Sequence, residues 1–369
     1  MYQVQLRPEI AKLKAYTPGL SIDEIRQKYG LSQVIKMASN ENPLGTSPYV
    51  QEVIRSHTGT SFRYPRSGNP KLVAALADKY NVPKETIIVG NGSDEVIDLL
   101  LRILATPYKD SIVCSNPCFN LYPIQAQIAG LKIKTCPLKA DFSFDFDGLL
   151  KLIDESTRIV FLTTPDNPSG FCPKRADVLD FVEKVASYPN CLVLIDEAYM
   201  DFSPTEAESS LLFTLPLKDN VGIMRTFSKS YGLAGLRIGY AIVPADVADT
   251  FWRARLPFSL NTLAEAAALA ALDDSAFHEK VMATVHDGLQ VITEGLSKLG
   301  CKVYPSVANY LMFTMPKGYQ ASDCFEYLLS HGIIIRRLTS YNLPEHLRVS
   351  IGNIDENDAF INAMTKYLA

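Results

Sequence analysis

No run of about 18 apolar residues occurs in the 369-residue chain, so a membrane-spanning helix is not expected. The opening Met1–Glu9 lacks the apolar core of a signal peptide, which points to a cytoplasmic protein. There is no C-x-x-C. The seven cysteines are scattered, and none of the five histidines stands near them at ligand spacing, so neither a structural zinc nor any other metal is expected. A basic excess is also missing. Thirty-six Lys and Arg stand against 40 Asp and Glu, a net charge of −4, whereas a nucleic-acid binder needs a basic face to neutralise phosphates. Internal repeats, low-complexity tracts and long linkers are absent. What remains is a chain with 47% hydrophobic residues, enough to bury a large core and to exclude wholesale disorder, and long enough for two domains.

Short β-branched runs alternate with amphipathic stretches through the middle of the sequence. Strands are predicted over Thr86–Val89, Ser111–Cys114, Lys132–Cys136, Arg158–Thr163, Leu192–Ile195, Val221–Thr226 and Arg237–Val243. Several are continuously apolar, as befits strands covered on both faces. Between the first two, Asp94–Leu104 carries a helical apolar pattern, with Ser93 or Asp94 available to cap its first turn. This alternation predicts an α/β fold: a large domain, residues 49–262, with a mainly parallel seven-stranded sheet between helices. After helical stretches at Leu263–Leu272 and about Ala276–Leu299, further strands near Lys302–Tyr304, Asn309–Met315, Gly332–Leu338 and Leu347–Ile351 predict a smaller α+β domain. That domain is assembled from residues 1–48 and 263–369.

Four segments carry chemistry. In Arg225–Tyr240, Lys229 follows an apolar strand and precedes a turn of Gly and small residues. It is either an amine of lowered pKa or an ordinary solvated strand-end lysine. Arg237, Ser228 and Thr226 could hold a phosphate. Leu192-Val-Leu-Ile-Asp196-Glu-Ala-Tyr199 puts a carboxylate directly after four apolar residues, where open α/β sheets bind ligands, although a helix cap is also common there. Thr163-Thr-Pro-Asp-Asn167-Pro-Ser-Gly170 is a second strand end, or simply a tight turn. Gly90-Asn-Gly-Ser-Asp-Glu95 opens a helix and suits a phosphate or a plain N-cap. Glu95 stands where a dinucleotide fingerprint needs its third glycine, which disfavours a nicotinamide dehydrogenase.

Taken from the N-terminus onward, as a Gly-rich helix start, an asparagine, an aspartate, a tyrosine, a lysine and an arginine, these pieces resemble the fold-type I aminotransferases that use pyridoxal 5′-phosphate, and within them the histidinol-phosphate aminotransferase family. The resemblance rests on Ala38-Ser-Asn-Glu-Asn-Pro-Leu-Gly45, Tyr64-Pro65, Gly90–Glu95, Asp166–Gly170, Asp196–Tyr199, Arg225–Tyr240, Ala308-Asn-Tyr310 and Leu347–Gly352, which span nearly the whole chain. It implies that Lys229 forms the Schiff base with the cofactor aldehyde and then moves protons, and that Asp196 pairs with the ring nitrogen. Tyr199 and Asn167 would hydrogen-bond the ring oxygen. The phosphate would sit on the Ser93 and Asp94 backbone with Arg237, Ser228 and Thr226. Phe119, where many relatives have tyrosine, would stack on the ring, and Tyr64 would reach the phosphate of the neighbouring subunit in a homodimer.

The resemblance also implies that Arg348 and Arg336 bind the substrate's anionic end, with Arg337 an alternative to Arg336, and that Tyr16 closes over it. The implied partners are a small-molecule amino donor and an oxo acceptor, histidinol phosphate with 2-oxoglutarate. Aromatic amino-acid transamination and phosphothreonine decarboxylation are rivals that keep the cofactor. A cofactor-binding regulator with a dead site is a rival of another class, against which Lys229, Asp196, Asn167 and Arg237 are all present.

Overall fold

A computed structural model describes residues 4–13, 20–214 and 216–369; Tyr16, expected over the substrate, lies outside the described residues. The strands in chain order are β1 (Ile35–Lys36), β2 (Ile87–Asn91), β3 (Ser111–Asn116), β4 (Lys132–Pro137), β5 (Thr157–Thr163), β6 (Leu192–Asp196), β7 (Val221–Thr226), β8 (Ile238–Ile242), β9 (Lys302–Val303), β10 (Tyr310–Thr314), β11 (Ile333–Ile334), β12 (Arg336–Leu338) and β13 (Leu343–Ser350).

Strands β2 to β8 form one sheet in the order β2-β8-β7-β6-β5-β3-β4. The run from β4 through β7 is parallel, and β8 is antiparallel to both β2 and β7. Side chains alternate across a strand, yet both faces here are apolar. Ile87, Val113, Val160, Leu162, Val193 and Ile195 enter one core, while Ile88, Ile112, Ile159, Phe161, Leu194 and Met224 enter the other. This explains why the strands read as continuous apolar runs. The seventh begins one residue later than predicted because Arg237 takes a left-handed φ of 55°, outside the strand region.

The C-terminal strands form an antiparallel sheet in the order β12-β13-β10-β9. Its core receives a stripe of Val281, Val285, Ile292 and Leu296 from the helix Ser275–Lys298, at the four- and seven-residue spacings of one helix face. The N-terminal segment joins this region: β1 pairs in parallel with β11, and Met37 accepts a hydrogen bond from the amide of Ser350. The helix Thr262–Asp273, which the sequence reading placed in the smaller domain from residue 263 onward, packs beside the large sheet. Its Ala264, Ala267, Ala268 and Ala271 are buried in the large-sheet core, beside the helices Pro48–His57 and Pro70–Tyr80. Alanines at this spacing let helix backbones approach closely. Among the described residues, no helix is long and apolar enough to cross a membrane.

Candidate active site

Three neighbouring parallel strands end together: β5 at Thr163, β6 at Asp196 and β7 at Thr226, with Thr163 and Asp196 directly opposite in register. These three residues line a cavity of about 210 Å³ at the carboxyl edge of the sheet, where open α/β sheets place their ligands. Asp196 is buried. Its Oδ2 accepts a 2.6 Å hydrogen bond from the Tyr122 hydroxyl and its Oδ1 one of 3.1 Å from the Ala198 amide. Burial pushes its carboxyl up to about 6 despite those two donors. A cationic ring nitrogen placed against it would reverse that push.

Lys229 stands in the loop after β7. Its Nζ donates to the Ser39 carbonyl at 3.3 Å and lies 5.5 Å from the centre of the Tyr199 ring. The Tyr199 hydroxyl accepts from Asn40 Nδ2 at 3.1 Å, and burial raises its proton affinity. Behind the cavity, the buried Arg225 guanidinium binds Glu197 at 2.7 Å, Asp201 at 3.0 Å and Glu206 at 2.7 Å. Glu197 follows Asp196 and Arg225 precedes Lys229 by four residues, so this network ties the ends of β6 and β7 together.

The helix Ser93–Leu104 begins at the cavity. Contrary to the sequence reading, neither Ser93 nor Asp94 caps it: Gly92 is the N-cap, at φ 82°, and no side chain takes its first amides. Those amides face a site where an anion is favoured by the helix dipole. Two glycines make the geometry possible. A Cβ on Gly92 would meet Arg237 Nη2 at 2.6 Å, and one on Gly239 would meet the Ser93 amide nitrogen at 2.1 Å. Arg237 reaches over to Asp94 at 2.8 Å. The Thr226 hydroxyl donates to the Ile238 carbonyl and accepts from the Ser228 amide, each at 3.1 Å, and Ser228 also lines the cavity. A helix N-terminus, an arginine and a serine around a glycine cradle fit a phosphate. The acidic Asp196 and the amine of Lys229, in the same cavity, fit the ring and aldehyde of pyridoxal phosphate.

The opposite wall is cationic. Arg336 and Arg348 are direct cross-strand partners on β12 and β13, and both line the cavity. Arg337 points to the other face, with its guanidinium 5.8 Å from the Phe325 ring centre, because successive strand residues alternate sides. Arg336 is therefore the one that borders the site. Arg348 is buried: it donates to Asn167 Oδ1 and, at 3.1 Å, to the Ala38 carbonyl, and it lies 5.0 Å from the Tyr310 ring centre. Its Nε has no hydrogen-bond partner among the described residues. Like charges directly opposite on a sheet are unfavourable on their own, so this pair fits an anionic guest.

The cavity thus gathers Lys229, Asp196, Tyr199, Asn167, Arg237, Ser228, Thr226, Ser93, Asp94, Phe119, Arg336 and Arg348. Tyr64 is outside it, 82% exposed and stacked on Phe258 at 4.8 Å. Sequence reasoning missed Asn40, Thr163, Tyr122 and Tyr341, of which Asn40, Thr163 and Tyr341 line the cavity. Asn40 and Thr163 sit within quoted motifs, but nothing in their spacing indicated which atoms they would meet. Asp166 was passed over too. Burial raises its carboxyl to about 7, although the Ser169 hydroxyl and amide both donate to it.

The site and fold are those of a fold-type I aminotransferase, and the chain belongs to the aminotransferase class I and II family, which matches residues 32–364. Within that family it is 52% identical over 358 residues to the histidinol-phosphate aminotransferase of Oleidesulfovibrio alaskensis, covering 96% of this chain and 93% of the relative. It is 53% identical over 363 residues to that of Nitratidesulfovibrio vulgaris Hildenborough, covering 98% and 96%. The crystal structure of the Sinorhizobium meliloti histidinol-phosphate aminotransferase in complex with pyridoxal 5′-phosphate superposes with a TM-score of 0.88 at 27% identity, covering 100% of this chain and 98% of that one.

Proposed function

We propose that this protein is a pyridoxal-phosphate-dependent transaminase that interconverts histidinol phosphate plus 2-oxoglutarate with imidazole acetol phosphate plus glutamate in histidine biosynthesis. The observation that carries the reading is one cavity with Lys229, Asp196 and a phosphate cradle on one wall and the Arg336–Arg348 pair on the other. The identity of more than half the residues to enzymes of that name supports the choice of substrate.

When bound, the cofactor supplies an electron-withdrawing ring that makes the donor's α-hydrogen acidic and carries nitrogen between the two half-reactions. Arg237, Ser228 and the free amides at Ser93 and Asp94 hold its phosphate, with Thr226 ordering Ser228. Asp196 holds the ring nitrogen protonated, Phe119 covers a ring face, and Asn167 and Tyr199 donate to the ring oxygen. Lys229 Nζ would take the α-proton and return it two bonds away, on the far side of the transferred nitrogen. Arg348 and Arg336 orient the substrate by its anionic end, so that the transferred proton stays within reach of Lys229.

The same proposal includes a cytoplasmic homodimer. Phe62, Tyr64, Leu256 and Phe258 leave an aromatic and aliphatic surface exposed, with Tyr64 and Phe258 stacked across it. A second copy that covers this surface would receive Tyr64 at its cofactor phosphate. We also propose that the helix Thr262–Asp273 belongs to the large domain, whose boundary then falls near residue 274.

The deciding experiment follows cofactor absorbance on purified enzyme while histidinol phosphate or, separately, phenylalanine is added. Rapid conversion to the pyridoxamine form by histidinol phosphate alone is expected. Rapid conversion by phenylalanine, with histidinol phosphate inert, would overturn the substrate assignment and leave an aromatic transaminase.

A further inference from the structure

Tyr122 lies in the helix Leu121–Ile128, behind the cavity and not among its lining residues, yet it touches three residues that line it, Phe119, Thr163 and Asp196. Its ring is buried, stacked flat on Phe161 at 4.3 Å and 11°, and it meets Phe119 edge-on at 5.5 Å and 85°. Its hydroxyl donates to Asp196 Oδ2 at 2.6 Å and lies 2.7 Å from the Thr163 hydroxyl. A phenol has one proton. Given to the carboxylate, it leaves the phenol oxygen to accept from Thr163, so the three groups form a directed chain, Thr163 to Tyr122 to Asp196.

We infer that Tyr122 is a positioning residue that sets both the orientation and the charge of Asp196 and, through the edge contact, the tilt of Phe119. The inference rests on the reading that Asp196 faces the cofactor ring nitrogen. One buried side chain thereby couples the group that holds the ring nitrogen to the group that covers the ring face. Such coupling is useful because a ring tilted off its nitrogen partner loses the strongest part of that hydrogen bond.

The electrostatic surroundings give this contact its weight. Asp94 and Glu197 face Asp196 and disfavour its charge, as burial does, while the Tyr122 phenol and the Ala198 amide favour it. Tyr199 is near enough to feel the Asp196 charge, and Cys118 adds to the field at Tyr122. Burial and the Asp196 charge together raise the Tyr122 phenol well above its usual range. It therefore stays protonated and remains a donor throughout the working pH range.

The test is Tyr122→Phe, which keeps the ring contacts and deletes only the hydroxyl, with Asp196→Asn to identify the Asp196 signal. In the full-length chain before cofactor loading, the carbon-13 carboxyl resonance of Asp196 is titrated. In Tyr122→Phe the midpoint should move upward from about 6 by about one pH unit, because a donor to the charged form is lost. After loading, the pH dependence of the cofactor's visible band should shift in the same variant, and kcat should fall by about ten-fold with KM for the amino donor changed by less than about two-fold. Tyr122→Leu, which also removes the edge contact to Phe119, should in addition weaken cofactor binding. An unchanged Asp196 midpoint in Tyr122→Phe, in a variant that melts with the parent, would overturn the inference. The carboxyl titration uses no substrate, so it stands whether or not histidinol phosphate is the donor. If the parent's cofactor band proved insensitive to Asp196→Asn, the underlying cofactor reading would fail instead.

Discussion

The two walls of the cavity are built on opposite principles. The wall on the large sheet consists of strand ends and a helix start, and its groups are matched: Asp196 to Tyr122 and Ala198, Arg237 to Asp94, Arg225 to three carboxylates. The wall on the small sheet sets two arginines directly opposite each other, with Arg348 Nε buried and unmatched among the described residues. A wall whose charges are already paired is pre-organised for a resident group and gains little from a transient one. A wall on which two arginines converge offers an arriving anion two guanidinium groups at once. The first wall therefore fits the chemistry and the second the selection of substrate.

The largest expected effect tests the first wall. Lys229→Ala should lower transamination by about 10⁴-fold or more, since no other amine in the cavity can carry the α-proton, while the melting temperature stays near that of the parent. Absorbance in single half-reactions and a melting curve check both parts. Turnover at the parent rate would break the division of labour outright.

The second wall should respond differently. Arg336→Gln should raise KM for histidinol phosphate by about 10- to 100-fold and leave kcat nearly intact, because it removes binding that is present before and during the reaction alike. Arg348→Gln should do more, cutting kcat/KM by about 10²- to 10³-fold. Its guanidinium also holds Asn167 and the Ala38 carbonyl, so kcat falls as well. Steady-state kinetics with histidinol phosphate distinguish the two patterns.

The boundary between the walls is probed by Gly92→Ala. The new Cβ would sit 2.6 Å from Arg237 Nη2 on a backbone at φ 82°, so the arginine must move. Cofactor affinity should drop by about ten-fold, measured by titration of the cofactor-free enzyme, with Arg336-dependent selectivity unchanged.

The smallest effect concerns stability and pH. In the fold Asp166 is raised to about 7 by burial, well above an unfolded aspartate near 4. The folded state thus holds this proton more tightly than the unfolded one. The group's favourable contribution is complete below about pH 4 and is lost as pH rises through about 7. Asp166→Asn keeps an acceptor for Ser169 and has no charge to bury, so its melting temperature should fall less between pH 5 and 8 than the parent's, by a few degrees. Calorimetry across that window is the check. Identical slopes would show that the turn before Asn167 carries no titrating strain.

Much of the first wall was legible in the sequence because most of its groups follow a short, largely apolar run. Leu192–Ile195 and Val221–Thr226 announce buried parallel strands, and residues placed just after such strands emerge at one edge of the sheet. Lys229, Asp196 and Asn167 were found on that logic and Arg237 by its nearness to Lys229 in the chain, and all border one cavity. The second wall was read less sharply. Arg336 and Arg337 are indistinguishable in a linear pattern, and only the pairing of β12 with β13 turns Arg336 inward. Which side the helix Thr262–Asp273 packs on was not legible, because an alanine-rich face states that a helix packs closely without stating against what.

By itself, then, the sequence determined the order of strands and helices, the parallel sheet and the groups at its carboxyl edge, since local apolar patterning and turn residues dictate these directly. Tertiary structure alone decided that Tyr122, 41 residues from Thr163 and 74 from Asp196, would bind both. It alone set Arg348 against Asn167 across 181 residues, and placed Ser39 over Lys229 across 190. Hydrogen bonds of this kind depend on directions and distances of a few ångströms between elements far apart in the chain. Those are fixed by the joint packing of the two sheets and leave no period or spacing in the sequence.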